Sequence, residues 1–314
     1  MPKISICVPA YKNPSGIARL LASVKAQTYE DYEVILTDDT PDESVRDAAM
    51  AAEIPNLRYE KNRIRQGAAN NWNASVRLAR GEWIKMMHHD DWFASPASLE
   101  RMADLLESDP AADLAFCGTW QVTLGEGVER GTEPAAPCSG DAACGTDRFP
   151  RGISREQEEL IRADYRNLFL GNYIGSPSAT LYRKTGLEYE PALTWLVDME
   201  YYMRLLARNP RFACTAEPLI CIGVSESQLT ERCRTDGELN LYEYGFLFRE
   251  FDLKSEERFC EKLVQIGLKY GQPWEKIEPY GVSRALWKEM ARRKRMGDLG
   301  ALAKAAGRKL LRRG

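Results

Sequence analysis

Residues 3–9, KISICVP, and 33–38, EVILTD, are β-branched apolar runs that end in loop-forming residues. Strands buried on both faces of a parallel sheet have this pattern. Between them, Ser15–Gln27 places Ile17, Leu20, Leu21 and Val24 at helical spacing, with Pro14 and Ser15 as its start. Working outward, Leu57–Glu60 reads as a third strand, Gly67–Arg80 as a helix and Glu82–Met87 (EWIKMM) as a fourth strand. Strand–helix–strand repetition predicts an α/β architecture with right-handed crossovers and a mostly parallel central sheet flanked by helices. Further along, the patterns predict a helix at Pro96–Glu107, a strand at Asp113–Thr123 and a Gly/Pro/Ala-rich mobile loop at Gly125–Gly152. A helix over Ser154–Leu170 follows, then a loop becoming a strand over Gly171–Lys184, a helix at Asp198–Arg208 and one or two strands in Arg211–Val224. Beyond about Ser225 the pattern is helical. The expected division is an α/β domain over residues 1–225 and a helical extension over 226–314.

With 44% hydrophobic and 28% charged residues, the 314-residue chain has an ordinary globular composition. Met1 leads directly into the first strand, and no apolar run approaches the roughly 20 residues of a membrane span. A cytoplasmic location is the expectation. Cys7, Cys117, Cys214 and Cys221 lie in apolar stretches and no C-x-x-C occurs, so buried thiols are expected rather than zinc. The charge is asymmetric. From Arg284 to the end, eleven Lys/Arg face only Glu289 and Asp298, whereas the whole chain carries a net −3. An acidic body with a basic tail implies a surface for the tail to meet.

In open α/β sheets ligands bind beyond the carboxyl ends of the strands. Pro9–Asn13, Asp38–Thr40 and His88–Asp91 all fall there, so three polar clusters far apart in sequence are expected to share one crevice. The pair Asp90-Asp91 is suited to hold Mg²⁺ or Mn²⁺ on phosphates, with His88 and His89 favouring Mn²⁺. The same residues could instead cap the helix near Pro96 or solvate a turn. Asp38-Asp39 could receive hydrogen bonds from a nucleobase or ribose, or form a turn with Pro41 and Asp42. Asp198 opens a helix and could be its N-cap or a general base.

The order of these pieces resembles family 2 glycosyltransferases. The motifs are Pro9-Ala10-Tyr11, Asp38-Asp39, Gly67…Asn73…Ala79-Arg80-Gly81-Glu82-Trp83-Ile84, His89-Asp90-Asp91, and Asp198 ahead of Met203-Arg204-Leu205. The resemblance covers roughly residues 3–230. It implies the GT-A fold, a donor-binding half over 1–124 and an acceptor side over 125–225. It also implies an inverting, metal-dependent transfer from a nucleotide sugar, UDP- or dTDP-linked, to a glycan or lipid-linked glycan in bacterial surface-glycan assembly. By this resemblance Pro9, Ala10 and Tyr11 pack against the nucleoside and Asp39 recognises its base. Gly67 and His89 join the donor site. Asp90 holds the metal, with His88 or Asp91 as further candidate ligands, and Asp198 deprotonates the acceptor.

Two departures stand out. His88 and His89 replace the first two positions of the family's D-x-D, and Lys12 stands where Asn is common after the Tyr. No Q-x-x-R-W signature of processive synthases occurs, so single-residue transfer is expected. Trp274–Arg295 and Asp298–Arg313 read as helices. In the second, Leu299, Leu302, Ala303, Ala306 and Leu310 form an apolar stripe edged by bases. Such a helix suits an anionic bilayer, or equally a docked terminal helix. Nucleic acid is not an expected partner. Rival readings are a sugar-nucleotidyltransferase and a catalytically silent nucleotide- or glycan-binding protein.

Overall fold

In a computed structural model, residues 1–124, 148–224 and 233–296 are described. The chain divides into two compact units, Met1–Leu229 and Thr230–Gly314. The first begins with β1 (Ile4–Ala10), α1 (Pro14–Lys25), β2 (Tyr32–Asp38), α2 (Ser44–Ala51), β3 (Leu57–Lys61), α3 (Ala68–Leu78) and β4 (Trp83–Met86). It continues with β5 (Trp92–Phe93), α4 (Ser98–Ser108), β6 (Leu114–Thr123), β7 (Arg148–Arg151), α5 (Arg155–Ala163), β8 (Thr180–Arg183), α6 (Val197–Arg208) and β9 (Phe212–Val224). The strands form one sheet in the order β3-β2-β1-β4-β8-β6-β9-β5, with β7 paired to β6.

The parallel character expected from the sequence belongs to β3, β2, β1 and β4. Past β4 the sheet is mixed: β8 runs antiparallel to both β4 and β6, and β6 and β9 are parallel. Strands β1 and β2 are buried almost end to end, as their unbroken apolar runs require. Helix α1 buries Ile17, Leu20, Leu21 and Val24 in the same core as Ile6, Val8, Val34 and Leu36. Each such side chain contributes about 1.5–3 kcal/mol of apolar burial.

Three sequence expectations change. The stretch expected to be helix over Ser154–Leu170 is α5 followed by a 3₁₀ segment, Tyr165–Leu170. Asp164 breaks it by taking extended backbone and accepting the N–H of Arg166 on its side chain (2.9 Å). The end of the expected loop Gly125–Gly152 is strand β7, and residues 125–147 lie outside the described residues. In the second unit, the expected helix Trp274–Arg295 is interrupted. Trp274–Ile277 gives way to a 3₁₀ turn, Glu278–Tyr280, and Gly281 takes φ 73° before a helix over 284–296. Pro279 and the left-handed glycine disfavour a continuous helix there. In that unit helices Gly237–Glu250 and Glu257–Lys269 lie against one another, and Leu247, Phe248, Phe259 and Leu263 on them are buried. The expected helix Asp298–Arg313 lies outside the described residues. Among the described residues no helix is long and apolar enough to cross a membrane.

Asn73 ties the two halves of the first unit together. From α3 its side chain donates to the carbonyl of Tyr189 (2.8 Å) and accepts that residue's N–H (2.7 Å), all fully buried. Asn73→Ala leaves two buried backbone groups without partners. It should lower unfolding free energy by about 3 kcal/mol in urea titration; a change under about 0.5 kcal/mol would show that Tyr189 is held by other means.

Candidate active site

The register aligns Ala10 with Asp38, and Cys7 with Met86, so the carboxyl ends of β2, β1 and β4 lie side by side. The three polar clusters read from the sequence therefore share one edge of the sheet. Two backbone bonds stitch them together: Asp39 N–H to the Ala10 carbonyl (3.0 Å), and Met87 N–H to the Cys7 carbonyl (2.9 Å).

Pro9 and Ala10 are the buried last residues of β1. Ala10 works through its carbonyl, which also accepts the Asn71 side chain (3.1 Å). The ring of Tyr11 has the Arg65 guanidinium 4.4 Å from its centroid and the Lys12 ammonium 5.3 Å away. Lys12 is thus part of the Tyr11 surroundings.

The two adjacent aspartates divide the work. Asp38 is fully buried and accepts Tyr59 OH (2.7 Å), Lys61 Nζ (2.9 Å) and the N–H of Thr40 (2.7 Å). These bonds make it an anchor for the strand end. Asp39 accepts Asn62 Nδ2 (2.7 Å) and the N–H groups of Gln66 (3.0 Å) and Gly67 (2.9 Å). It thereby holds the loop between β3 and α3, and Gly67 is the residue where that loop becomes helix. Asn62 also donates to Asn71 (2.8 Å), so the loop, Asp39 and the end of β1 form one polar network.

The His88–Asp91 turn follows β4. Neither aspartate caps α4, whose N-cap is Ala97, because β5 intervenes. The turn is gripped by two close backbone approaches. A Cβ on Gly16 would lie 2.4 Å from the His89 carbonyl, and one on Gly223 would lie 2.6 Å from the Asp90 carbonyl. Arg19 donates to that same Asp90 carbonyl (3.3 Å). From β8's side, Ser178 accepts the His88 N–H (3.0 Å) and bonds the Asp91 carboxylate, which also accepts the Gly223 N–H (3.3 Å). The buried Lys85 ammonium lies beneath, donating to the carbonyls of Ser178, Met86 and Thr180, and burial lowers its pKa to about 8.

One ligand atom each from His88, Asp90 and Asp91 lies within 4.8 Å of the others, the only such group among the described residues. Oxygen ligands across a Mg²⁺ ion stand about 4 Å apart, so a small contraction would bring the three to bonding distance. His88 Nε2 is buried without a partner, and burial holds its pKa near about 4, leaving a neutral imidazole. Burial and the neighbouring Asp90 raise the pKa of Asp91. A neutral ring nitrogen with no partner beside two mutually repelling carboxylates fits a divalent cation.

Asp198 is the second residue of α6, beyond the N-cap position held by Leu196, so the capping role does not apply. Its carboxylate accepts the Met199 N–H (2.7 Å) and Asn172 Nδ2 (2.9 Å). Burial raises its pKa to about 6 against these bonds, one from its own backbone N–H and the charge of Arg151. The segment from Asn172 to Ser178 thus touches Asp198 at one end and the His88–Asp91 turn at the other. A second bridge is aromatic: Trp72 packs on His88 (4.7 Å) and on Tyr189 (5.1 Å), whose phenol feels the Asp198 charge.

Sequence reading missed Asn62, Asn71, Ser178, Asn172, Gly16 and Gly223. Asn71 carried a signal, since a polar residue on the buried side of a helix needs partners. The glycines carried none, because close approach is a property of two distant backbones.

The model of the family described as "Glycosyl transferase family 2" matches residues 5–189. An uncharacterised protein of Mycobacterium tuberculosis is 29% identical over 222 residues, 66% of this chain and 63% of its own. An uncharacterised glycosyltransferase of Haemophilus influenzae is 30% identical over 135 residues, 43% of this chain and 45% of its own. The Escherichia coli enzyme WfgD, a UDP-Glc:α-D-GlcNAc-diphosphoundecaprenol β-1,3-glucosyltransferase, is 26% identical over 98 residues, 31% of this chain and 39% of its own. The chain thus spans less than two thirds of the length of each of these relatives. Among solved structures, S. aureus TarS 1-349 in complex with UDP-GlcNAc superposes with a TM-score of 0.58 at 14% identity, covering 84% of this chain and 71% of that one. Mannosyltransferase PcManGT from Pyrobaculum calidifontis, in complex with GDP-Man and Mn²⁺, gives 0.52 at 15% identity, covering 97% and 76%. At such identities the likeness concerns the fold, and the mixed sheet with flanking helices is the GT-A fold. With the family match extending over more than half of its 314 residues, the chain belongs to glycosyl transferase family 2.

Proposed function

We propose that this protein is an inverting glycosyltransferase that moves a sugar from a nucleoside-diphosphate donor, UDP- or dTDP-linked, onto a hydroxyl of a glycan or lipid-linked glycan. The observation that carries the reading is the pairing of a cation-suited turn, His88–Asp91, with a carboxylate of raised pKa, Asp198, linked by the segment Asn172–Ser178. WfgD acts, by its name, on a diphosphoundecaprenol-linked sugar, and TarS has been crystallised with UDP-GlcNAc. Both support this substrate class.

In this reading the base and ribose sit over Tyr11 and the Asp39 network, with Pro9, Ala10 and Gly67 forming the backbone wall. Asp39 reaches the base by exchanging one of its present donors for it. The donor diphosphate lies at His88, His89 and Asp90. His88, Asp90 and Asp91 would hold a divalent ion, Mn²⁺ or Mg²⁺, which when bound supplies positive charge to the leaving diphosphate. Asp198 takes the proton of the acceptor hydroxyl as its oxygen bonds the anomeric carbon. The bond from that carbon to the donor phosphate oxygen breaks with its electron pair leaving on the diphosphate, and configuration inverts. Residues 1–124 then serve the donor and 125–225 the acceptor. The basic 284–314 segment would meet an anionic membrane surface where a lipid-linked acceptor resides.

Mn²⁺ binding, followed by electron paramagnetic resonance with UDP present, should weaken by about ten-fold or more in Asp90→Ala and in His88→Ala. Wild-type affinity in both variants would remove the turn from the metal site. A panel of nucleotide sugars, scored by nucleoside diphosphate release, identifies the donor. With that donor kcat/KM should fall as pH drops through about 6, because only deprotonated Asp198 accepts the proton. Asp198→Asn should reduce kcat by about 10²–10⁴-fold. Turnover unchanged in Asp198→Asn would overturn the base assignment.

A further inference from the structure

The role of Asp198 raises the question of what aims it. Helix α6 supplies backbone N–H groups alone, those of Met199 (2.7 Å) and of Asp198 itself. Asp198 Oδ2 is met by Asn172, whose own carboxamide is fixed at both ends. Its Nδ2 donates to Asp198 Oδ2 (2.9 Å) and to the Gly175 carbonyl (3.2 Å), while its Oδ1 accepts the Gly175 N–H (2.9 Å). A carboxamide clasped on both its oxygen and its nitrogen cannot flip, so its donor stays turned to the aspartate. The clasp is itself tethered. Arg151, on β7, donates to the Asn172 carbonyl (3.1 Å), and Tyr202 OH reaches the Gly175 carbonyl (3.4 Å).

We propose that Asn172 is the positioning residue of the catalytic base, holding one oxygen of Asp198 in place through its clasp on Gly175. This rests on the reading of Asp198 as base. The arrangement follows the general logic of a base oriented by a third group. An amide serves better here than a carboxylate, since it donates to the charged form and adds no negative charge beside it. The same loop segment then fixes the base and, through Ser178, the His88–Asp91 turn. The outside charge that bears on Asp198 is Arg151, which favours the carboxylate, while that carboxylate in turn keeps the phenols of Tyr189 and Tyr202 protonated.

The test is a carboxyl-carbon NMR titration of the full chain labelled at aspartate, with the Asp198 signal identified by its loss in Asp198→Asn. In the wild type that signal should titrate near about 6. In Asn172→Ala it should titrate about one unit higher, a ten-fold change in proton affinity. In Asn172→Asp the rise should be larger, because two carboxylates then share the site. The kinetic counterpart is a kcat lowered about ten-fold in Asn172→Ala with KM for the donor unchanged. Titration within a few tenths of wild type in both variants, or a raised donor KM with normal kcat, would overturn the proposal. Circular dichroism and melting of each variant separate misfolding from loss of the bond, and either variant that folds suffices. Should Asp198→Asn turn over normally while Asn172→Ala still shifts the titration, the base reading has failed and the coupling has not.

Discussion

The His88–Asp91 turn occupies its place because no side chain stands at Gly16 or Gly223. The first lets the start of α1 come against the His89 carbonyl, and the second lets β9 come against that of Asp90. Both contacts are shorter than any Cβ tolerates, so the turn is wedged between two elements of distant sequence origin. Closely packed interiors transmit such constraints rather than absorbing them. The placement of His88, Asp90 and Asp91 follows from it, and so does the reach of Ser178 to this turn.

Around this wedge the polar groups form linked networks. Asp39, Asn62 and Asn71 join the β3–α3 loop to the end of β1, and Asp38 with Tyr59 and Lys61 fixes the strand beside it. The buried Lys85 meets carbonyl oxygens and feels the Asp91 charge from below. Buried polar groups carry a high cost when unmade, so networks of this kind allow few alternative loop positions. His88 Nε2 is buried without a hydrogen-bond partner beside two carboxylates, which suits the turn to a cation.

Much of the first unit is legible in its sequence. Uninterrupted β-branched runs and helical spacing placed β1, α1, β2, β3, α3 and β4 within a few residues of where they lie, and the carboxyl-end rule brought their terminal clusters to one edge. The expectation weakened where local signals compete. Asp164 could be interior to a helix or end it, and only its bond to the Arg166 N–H decided the matter. Likewise Asp198 at a helix start suits an N-cap or a general base equally, and only the backbone, with Leu196 in the N-cap position, separates them.

What the sequence by itself determined was the periodic elements of the first hundred residues, the parallel character of their strands and the residue types gathered at their ends. These follow from side-chain periodicity and burial, which act over a few residues. The tertiary structure alone decided that Asp38 anchors the strand while Asp39 holds the β3–α3 loop. It alone turned the sheet mixed beyond β4, joined Asn172 to Asp198, and set Gly16 and Gly223 against one turn. Each of these is a contact between segments tens to more than a hundred residues apart, and hydrogen-bond direction and backbone clearance at that range are set only when the packed chain brings the atoms together.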